Sequence, residues 1–217
     1  MKRILATLFP VFVSLALYAQ DQPFWRQIRS FKAADSIQAP DRNAIVFVGS
    51  SSFAMWKDVQ QHFPAHEIIN RGFGGSSLTH VIAYADEIVI PYEPKQVVIY
   101  CGENDFMSDT VTSEIVVDRF KTLFSLLRKG IPRAKITFIS MKPSPSRQRL
   151  MPEMAAANAA IRDFLKKQRR ASYVDIWNAM LDEGGAPYEE LFLKDMLHMN
   201  AQGYAIWQKA IEPHLKR

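Results

Sequence analysis

Four short segments of this chain together hold every group needed to move an acyl group through a serine: Gly49-Ser50-Ser51-Ser52, Asn70 to Gly75, Gly102-Glu103-Asn104-Asp105 and Asp195-Met196-Leu197-His198. A hydroxyl is a useful nucleophile only when a base takes its proton, and the base is held best when a carboxylate binds its other nitrogen. Asp195 precedes His198 by three positions, within reach of that hydrogen bond, which makes His198 the best base of the five histidines. The other four have plainer readings. His62 and His66 flank Pro64 in a loop, His80 falls in a helical pattern and His214 lies near the C-terminus.

Ser50, Ser51 and Ser52 stand where a strand-like run gives way to a helix start, so backbone N–H groups without intrahelical partners lie beside the hydroxyls. The same residues also read as a serine N-cap with its turn. The glycines between Asn70 and Ser77 let backbone approach a ligand closely, but they lack dinucleotide-fingerprint spacing, and no phosphate-loop Gly-Lys-Ser/Thr pattern occurs. The Asn104 amide can donate to an oxyanion. Glu103 and Asp105 would suit a metal site or an acid pair, yet no histidine cluster accompanies them. Cys101 is the one cysteine of the chain; at the end of an apolar run it reads as a small buried hydrophobe, and alone it makes no internal disulfide.

The elements that must position these groups alternate. Strand-like apolar runs occur at residues 44–48, 67–69, 96–101, 135–139 and 172–176, and helical patterns at 24–34, 52–62, 77–88, 152–169 and 201–214. Val116, Phe120, Leu123 and Leu127 recur at helical spacing until Gly130 and Pro132 end the run. This alternation predicts an α/β fold, a five-stranded mainly parallel sheet with helices on both faces in three α/β/α layers. Ligands of open α/β sheets bind beyond the C-terminal ends of the strands. The first three chemical segments fall there.

A length of 217 residues suits one domain with a substantial core. Met1-Lys2-Arg3, an apolar run to Tyr18 and the small residue Ala19 have the order of a secretory leader, so residues 1–19 are expected to be a signal peptide and 20–217 a single exported domain, periplasmic or extracellular. The run is short for a membrane span, and no stable insertion is expected after cleavage. The net charge of +5 includes Lys2 and Arg3, and the remaining basic residues are scattered, without the dense stripe that nucleic-acid binding needs.

Taken together, the four segments resemble the SGNH (GDSL-type) hydrolase superfamily, in particular the branch similar to platelet-activating-factor acetylhydrolase subunits, over residues 45–215. The resemblance implies a flavodoxin-like fold in which Ser51 is the nucleophile, Asp195 and His198 are its orienter and base, and the Ser51 N–H, the Gly75 N–H and the Asn104 side chain form the oxyanion hole. Four positions depart from the family pattern: Ser50 replaces an aspartate, Ser52 a leucine, Ser76 an aspartate and Met199 a proline. None removes a catalytic atom. Ser52, Ser76, Lys142 and Arg147 are the candidates for a substrate-facing rim, the loop of the last two being either a binding element or a rigid connection. The activity implied is hydrolysis of a short-chain acyl ester, acetyl included, of a carbohydrate or other small polar molecule, with no metal and no organic cofactor. The alternatives are a lysophospholipase or thioesterase on the same residues and a non-catalytic carbohydrate-binding descendant. The oligomeric state is left open.

Overall fold

All five residues of β1 (Ile45–Gly49) are buried, because this strand has a helical layer on each face. The side chains alternate between two cores. Ile45 and Phe47 pack with Phe53, Trp56 and Trp207, whereas Val46 and Val48 pack with Val81, Phe120 and Phe138. A strand buried on both sides reads as a continuous apolar run, and this one does.

The computed structural model describes residues 22–217; the expected leader at residues 1–19 lies outside the described residues. In chain order the elements are α1 (Trp25–Ile37), β1, α2 (Ser51–Ala54), α3 (Val59–His62), β2 (Ile68–Gly72), α4 (Leu78–Ile88), β3 (Gln96–Tyr100), α5 (Ser113–Gly130), β4 (Lys135–Ile139), α6 (Met151–Lys166), β5 (Ala171–Val174) and α7 (Ala201–Ile211). The sheet runs β2-β1-β3-β4-β5 and all four pairings are parallel. This is the three-layer α/β/α architecture expected from the alternation, and the flavodoxin-like fold that the resemblance implies. Residues of α1, α4, α5 and α6 cover one face, and residues of α2, α3 and α7 cover the other. Among the described residues, no helix is long and apolar enough to cross a membrane.

Helix α5 shows how the pattern becomes packing. Val116, Phe120, Leu123 and Leu127, one stripe on the helix, are fully buried. Burial of side chains of this size is worth about 1.5–3 kcal/mol each. After Gly130, the Ile131 N–H closes the helix on the Leu127 carbonyl at 2.8 Å.

The single helix expected over residues 52–62 is instead two short turns, α2 and α3. The side-chain amide of Asn70 takes the carbonyls of Phe53 and Trp56 at 2.8 and 3.3 Å, so these acceptors are satisfied without a continuing helix. The bend lets the Trp56 ring reach Phe63, Tyr204 and Trp207.

Strand order reverses between β1 and β3, and the crevice beyond their C-terminal ends is the topological switch point where ligands of such sheets bind. Ser51 follows β1 and Asn104 follows β3.

Candidate active site

Gly49 ends β1 at φ 147°, and a Cβ there would stand 1.8 Å from the Tyr100 carbonyl oxygen. Only a glycine lets β1 and β3 run this close up to the point where the chain turns, and the Ser50 N–H then donates to that same carbonyl at 3.0 Å. The next residue, Ser51, opens α2 with its side chain half-buried. Its Oγ lies 2.9 Å from Nε2 of His198.

The Asp195 carboxylate does two jobs. Oδ1 accepts the backbone N–H groups of Leu197 and His198 at 3.0 and 2.9 Å, and Oδ2 meets Nδ1 of His198 at 2.6 Å. One oxygen therefore shapes the turn and the other aims the imidazole, which is the physical sense of the three-residue spacing. The His198 side-chain bond, then the His198 N–H, holds the Asp195 carboxyl down at about 2. An ionised Asp195 accepts from Nδ1–H, and that tautomer leaves the Nε2 lone pair facing the serine hydroxyl. The turn is tied to its surroundings by Leu193 N–H to the His198 carbonyl at 2.7 Å and Ser146 N–H to the Met196 carbonyl at 3.0 Å.

Two further segments carry polar groups, the Gly74-Gly75 turn beside Ser51 and the segment of Asn104 joined to it. Asn104 lies in the single-turn segment Glu103–Met107 after β3, and its Nδ2 gives one N–H to the Ser76 carbonyl at 2.9 Å, which leaves the second for a ligand. Gly75 has φ 82° and is exposed. Among the described residues the N–H groups of Ser51 and Gly75 have no hydrogen-bond acceptor.

The structure thus brings Ser51, Asp195 and His198 together and sets Asn104 and the Gly74-Gly75 turn on adjoining segments. It corrects most of the expected rim. Ser52 and Ser76 are buried beneath the surface. Lys142 is only 1 % exposed: its ammonium lies 2.8 and 2.9 Å from the two Glu103 carboxylate oxygens, and Tyr100 donates its hydroxyl to the same carboxylate at 2.7 Å. These positions follow the C-terminal ends of strands and pack inward, which a linear pattern does not reveal. Arg147 alone is partly exposed, with its guanidinium on the Met107 sulfur.

The remaining polar candidates are engaged elsewhere, His62 at the end of α3 rather than in a loop. Cys101 is buried, its thiol is pushed well up by burial, and it lies 3.6 Å from the Ser76 carbonyl. Asp105 caps α4 at the Leu78 N–H and pairs with Arg119. His80 closes the first turn of α4 through the Ser77 N–H, and His62 and His66 approach Asp58 and Glu212. Among the described residues no group of three or more metal-binding side chains is present.

The GDSL-like lipase/acylhydrolase family model matches residues 35–206 of this chain, well over half of it. The chain belongs to that family. As a GDSL-like acylhydrolase it is a carboxylic-ester hydrolase. The fold is shared with solved structures of low identity. One is a Streptococcus pneumonia protein described as a platelet activating factor, 18% identical with a TM-score of 0.78 over 94% of this chain and 98% of that one. A GDSL-like lipase from Bacteroides thetaiotaomicron is 20% identical with a TM-score of 0.74, covering 86% and 96%. An acetyl-xylooligosaccharide esterase from Geobacillus Stearmophilus is 17% identical with a TM-score of 0.62, covering 79% and 93%. No curated protein matches the chain in sequence.

Proposed function

We propose that this GDSL-type hydrolase is a serine esterase with Ser51 as nucleophile, His198 as base and Asp195 as its orienter. Its substrate is a short-chain acyl ester, acetyl included, of a carbohydrate or other small polar molecule. The observation that carries the reading is the unbroken chain of contacts from Ser51 Oγ through the imidazole to the Asp195 carboxylate. The mechanism follows from it. His198 Nε2 takes the Ser51 proton as Oγ bonds to the ester carbonyl carbon, and the oxyanion settles on the Ser51 N–H, the Gly75 N–H and Asn104 Nδ2. Such a donor contributes about 3 kcal/mol to the transition state. The imidazolium then protonates the departing alcohol as the C–O bond breaks. Water, deprotonated by the same nitrogen, releases the acid and restores Ser51.

The activity of the acetyl-xylooligosaccharide esterase supports a small acyl group on a sugar, through a shared fold. One observation favours a second reading, an enzyme for longer acyl chains such as a lysophospholipase or thioesterase. Met55, Met107 and Leu193 are exposed large hydrophobic side chains, and each lies close in sequence to one of the segments that carry the site. Met55 is four residues beyond Ser51, on the same side of a helical turn, and Met107 is three beyond Asn104, where side chains of a 3-10 turn eclipse. Export after loss of residues 1–19 completes the proposal, and the intact mass of protein recovered outside the cytoplasm tests it. An N-terminus near Gln20 is expected, and a retained Met1 refutes cleavage.

Hydrolysis of p-nitrophenyl acetate, butyrate and octanoate by the wild type, with Ser50→Ala, Ser51→Ala and Ser52→Ala beside it, tests the rest. Only Ser51→Ala should abolish turnover. Acetate preferred over octanoate supports the first reading, and the reverse order supports the second. Binding of acetylated oligosaccharides with no turnover of any ester would make the protein a non-catalytic descendant, against which the intact Ser51, Asn104, Asp195 and His198 argue.

A further inference from the structure

Residues 23–27, at the start of α1, touch the turn that carries Gly75 at three consecutive positions. The Phe24 ring packs edge-on against Phe73, with ring centroids 5.4 Å apart. Gln27 Oε1 accepts the Gly74 N–H at 3.1 Å. The Phe24 ring edge lies 3.7 Å from the point where a Cβ on Gly75 would stand. Phe24 also meets the His80 ring at 4.6 Å, so it spans from the turn to the first turn of α4.

The arm is itself anchored. The Tyr84 hydroxyl donates to the Pro23 carbonyl at 2.6 Å, and Trp25 stacks on the Tyr84 ring. Phe24 takes φ 68°, a left-handed conformation that bulky side chains disfavour and that these contacts hold in place.

Gly74 stands beside the nucleophile, since a Cβ built on it would lie 4.0 Å from Ser51 Cβ. Two successive amides, those of Gly74 and Gly75, therefore reach the neighbourhood of Ser51. Gln27 occupies the first, and the second has no acceptor among the described residues. From this we infer that Gln27 and Phe24 are positioning residues: the arm clasps the turn so that the Gly75 N–H, and not that of Gly74, is presented to the oxyanion. The inference rests on the reading of Gly75 as an oxyanion donor. Both residues lie outside the 35–206 span that the family model matches, so the clasp is not part of what that match carries.

Gln27→Met keeps the length of the side chain and its helix propensity but removes the acceptor. Two readouts are compared with the wild type: amide hydrogen exchange across residues 72–77 by mass spectrometry, and kcat and KM on p-nitrophenyl acetate. Exchange at Gly74 should speed up severalfold, and Gln27→Glu, which retains an acceptor oxygen, should keep it slow. In Gln27→Met, kcat should fall about three- to tenfold, the factor one ordinary hydrogen bond is worth, with KM within twofold and an unchanged melting temperature. Phe24→Ala should lower kcat in the same direction. Unchanged exchange in Gln27→Met overturns the clasp. Faster exchange with unchanged kcat overturns its positioning role, as does a change confined to KM. A wild type that hydrolyses no ester, with Gly74 still freed in Gln27→Met, sinks the esterase reading and retains the clasp.

Discussion

Lys142 and Glu103, 39 residues apart in the chain, form an ion pair with side chains only 1 % and 7 % exposed. The pair joins the segment after β4 to the turn after β3 in which Asn104 sits. Removal of one partner from a buried pair leaves an uncompensated charge, so Lys142→Met should lower the unfolding free energy by about 3–5 kcal/mol in urea titrations. Glu103→Leu added to Lys142→Met should recover most of the loss. A Lys142→Met midpoint equal to that of the wild type would show that the pair does not hold the fold.

Asn104 is expected to matter for turnover far more than for folding, because only one of its two amide protons is engaged, at the Ser76 carbonyl. Asn104→Ala should reduce kcat on p-nitrophenyl acetate by about two orders of magnitude. Turnover equal to that of the wild type would remove Asn104 from the oxyanion hole.

Asp195 carries a signed pH dependence. Its folded value of about 2 lies below the ordinary 3.8, so the ionised carboxylate stabilises the folded state above pH 3.8 and that contribution is lost as pH falls through about 2. The stability gap between wild type and Asp195→Asn should therefore be constant above pH 3.8 and close toward pH 2. It should be small throughout, because the side chain is 49% exposed. In the same variant kcat should fall by about 10³–10⁴, as expected when the imidazole loses its tautomer and aim. A gap that persists unchanged at pH 2 would mean that the carboxylate charge does not stabilise the fold.

Gly49 and Gly75 both have positive φ but should respond differently to alanine. A methyl at Gly49 meets the Tyr100 backbone at 1.8 Å, whereas one at Gly75 meets only the Phe24 ring at 3.7 Å. Gly49→Ala should fail to fold or unfold at much lower urea. Gly75→Ala should fold, with a loss of about 1–2 kcal/mol from left-handed strain. Equal midpoints for the two variants would refute the steric argument.

The parts legible in the sequence are those governed by local rules. Residues 44–48 read as a strand because both faces of β1 are apolar, and the Asp195-to-His198 spacing read as a pair because one turn suffices to close it. The parts that escaped depend on contacts between distant segments. The break at Trp56 is set by Asn70 from the next strand. Lys142 looks like a surface cation until its carboxylate partner is brought in beneath it, and nothing in the type or spacing of Phe24 and Gln27 connects them to Gly74 and Gly75. The closest cue was the helical pattern that begins at residue 24, beside the expected cleavage point, without any sign of what its first turn would touch.

His198 reaches Ser51 across a sequence separation of 147, after every strand of the sheet has already been laid down. A polypeptide interrupted at the exposed glycines Gly184 and Gly185 would keep all five strands, Ser51, Gly75 and Asn104, yet would lack the imidazole that meets the Ser51 hydroxyl. The remaining segment brings Asp195, His198 and the helix whose Trp207 seals the second core. On the proposed mechanism, hydrolysis is thus a sensor of chain completeness, and the same boundary marks where two co-expressed fragments would have to reunite for catalysis to return.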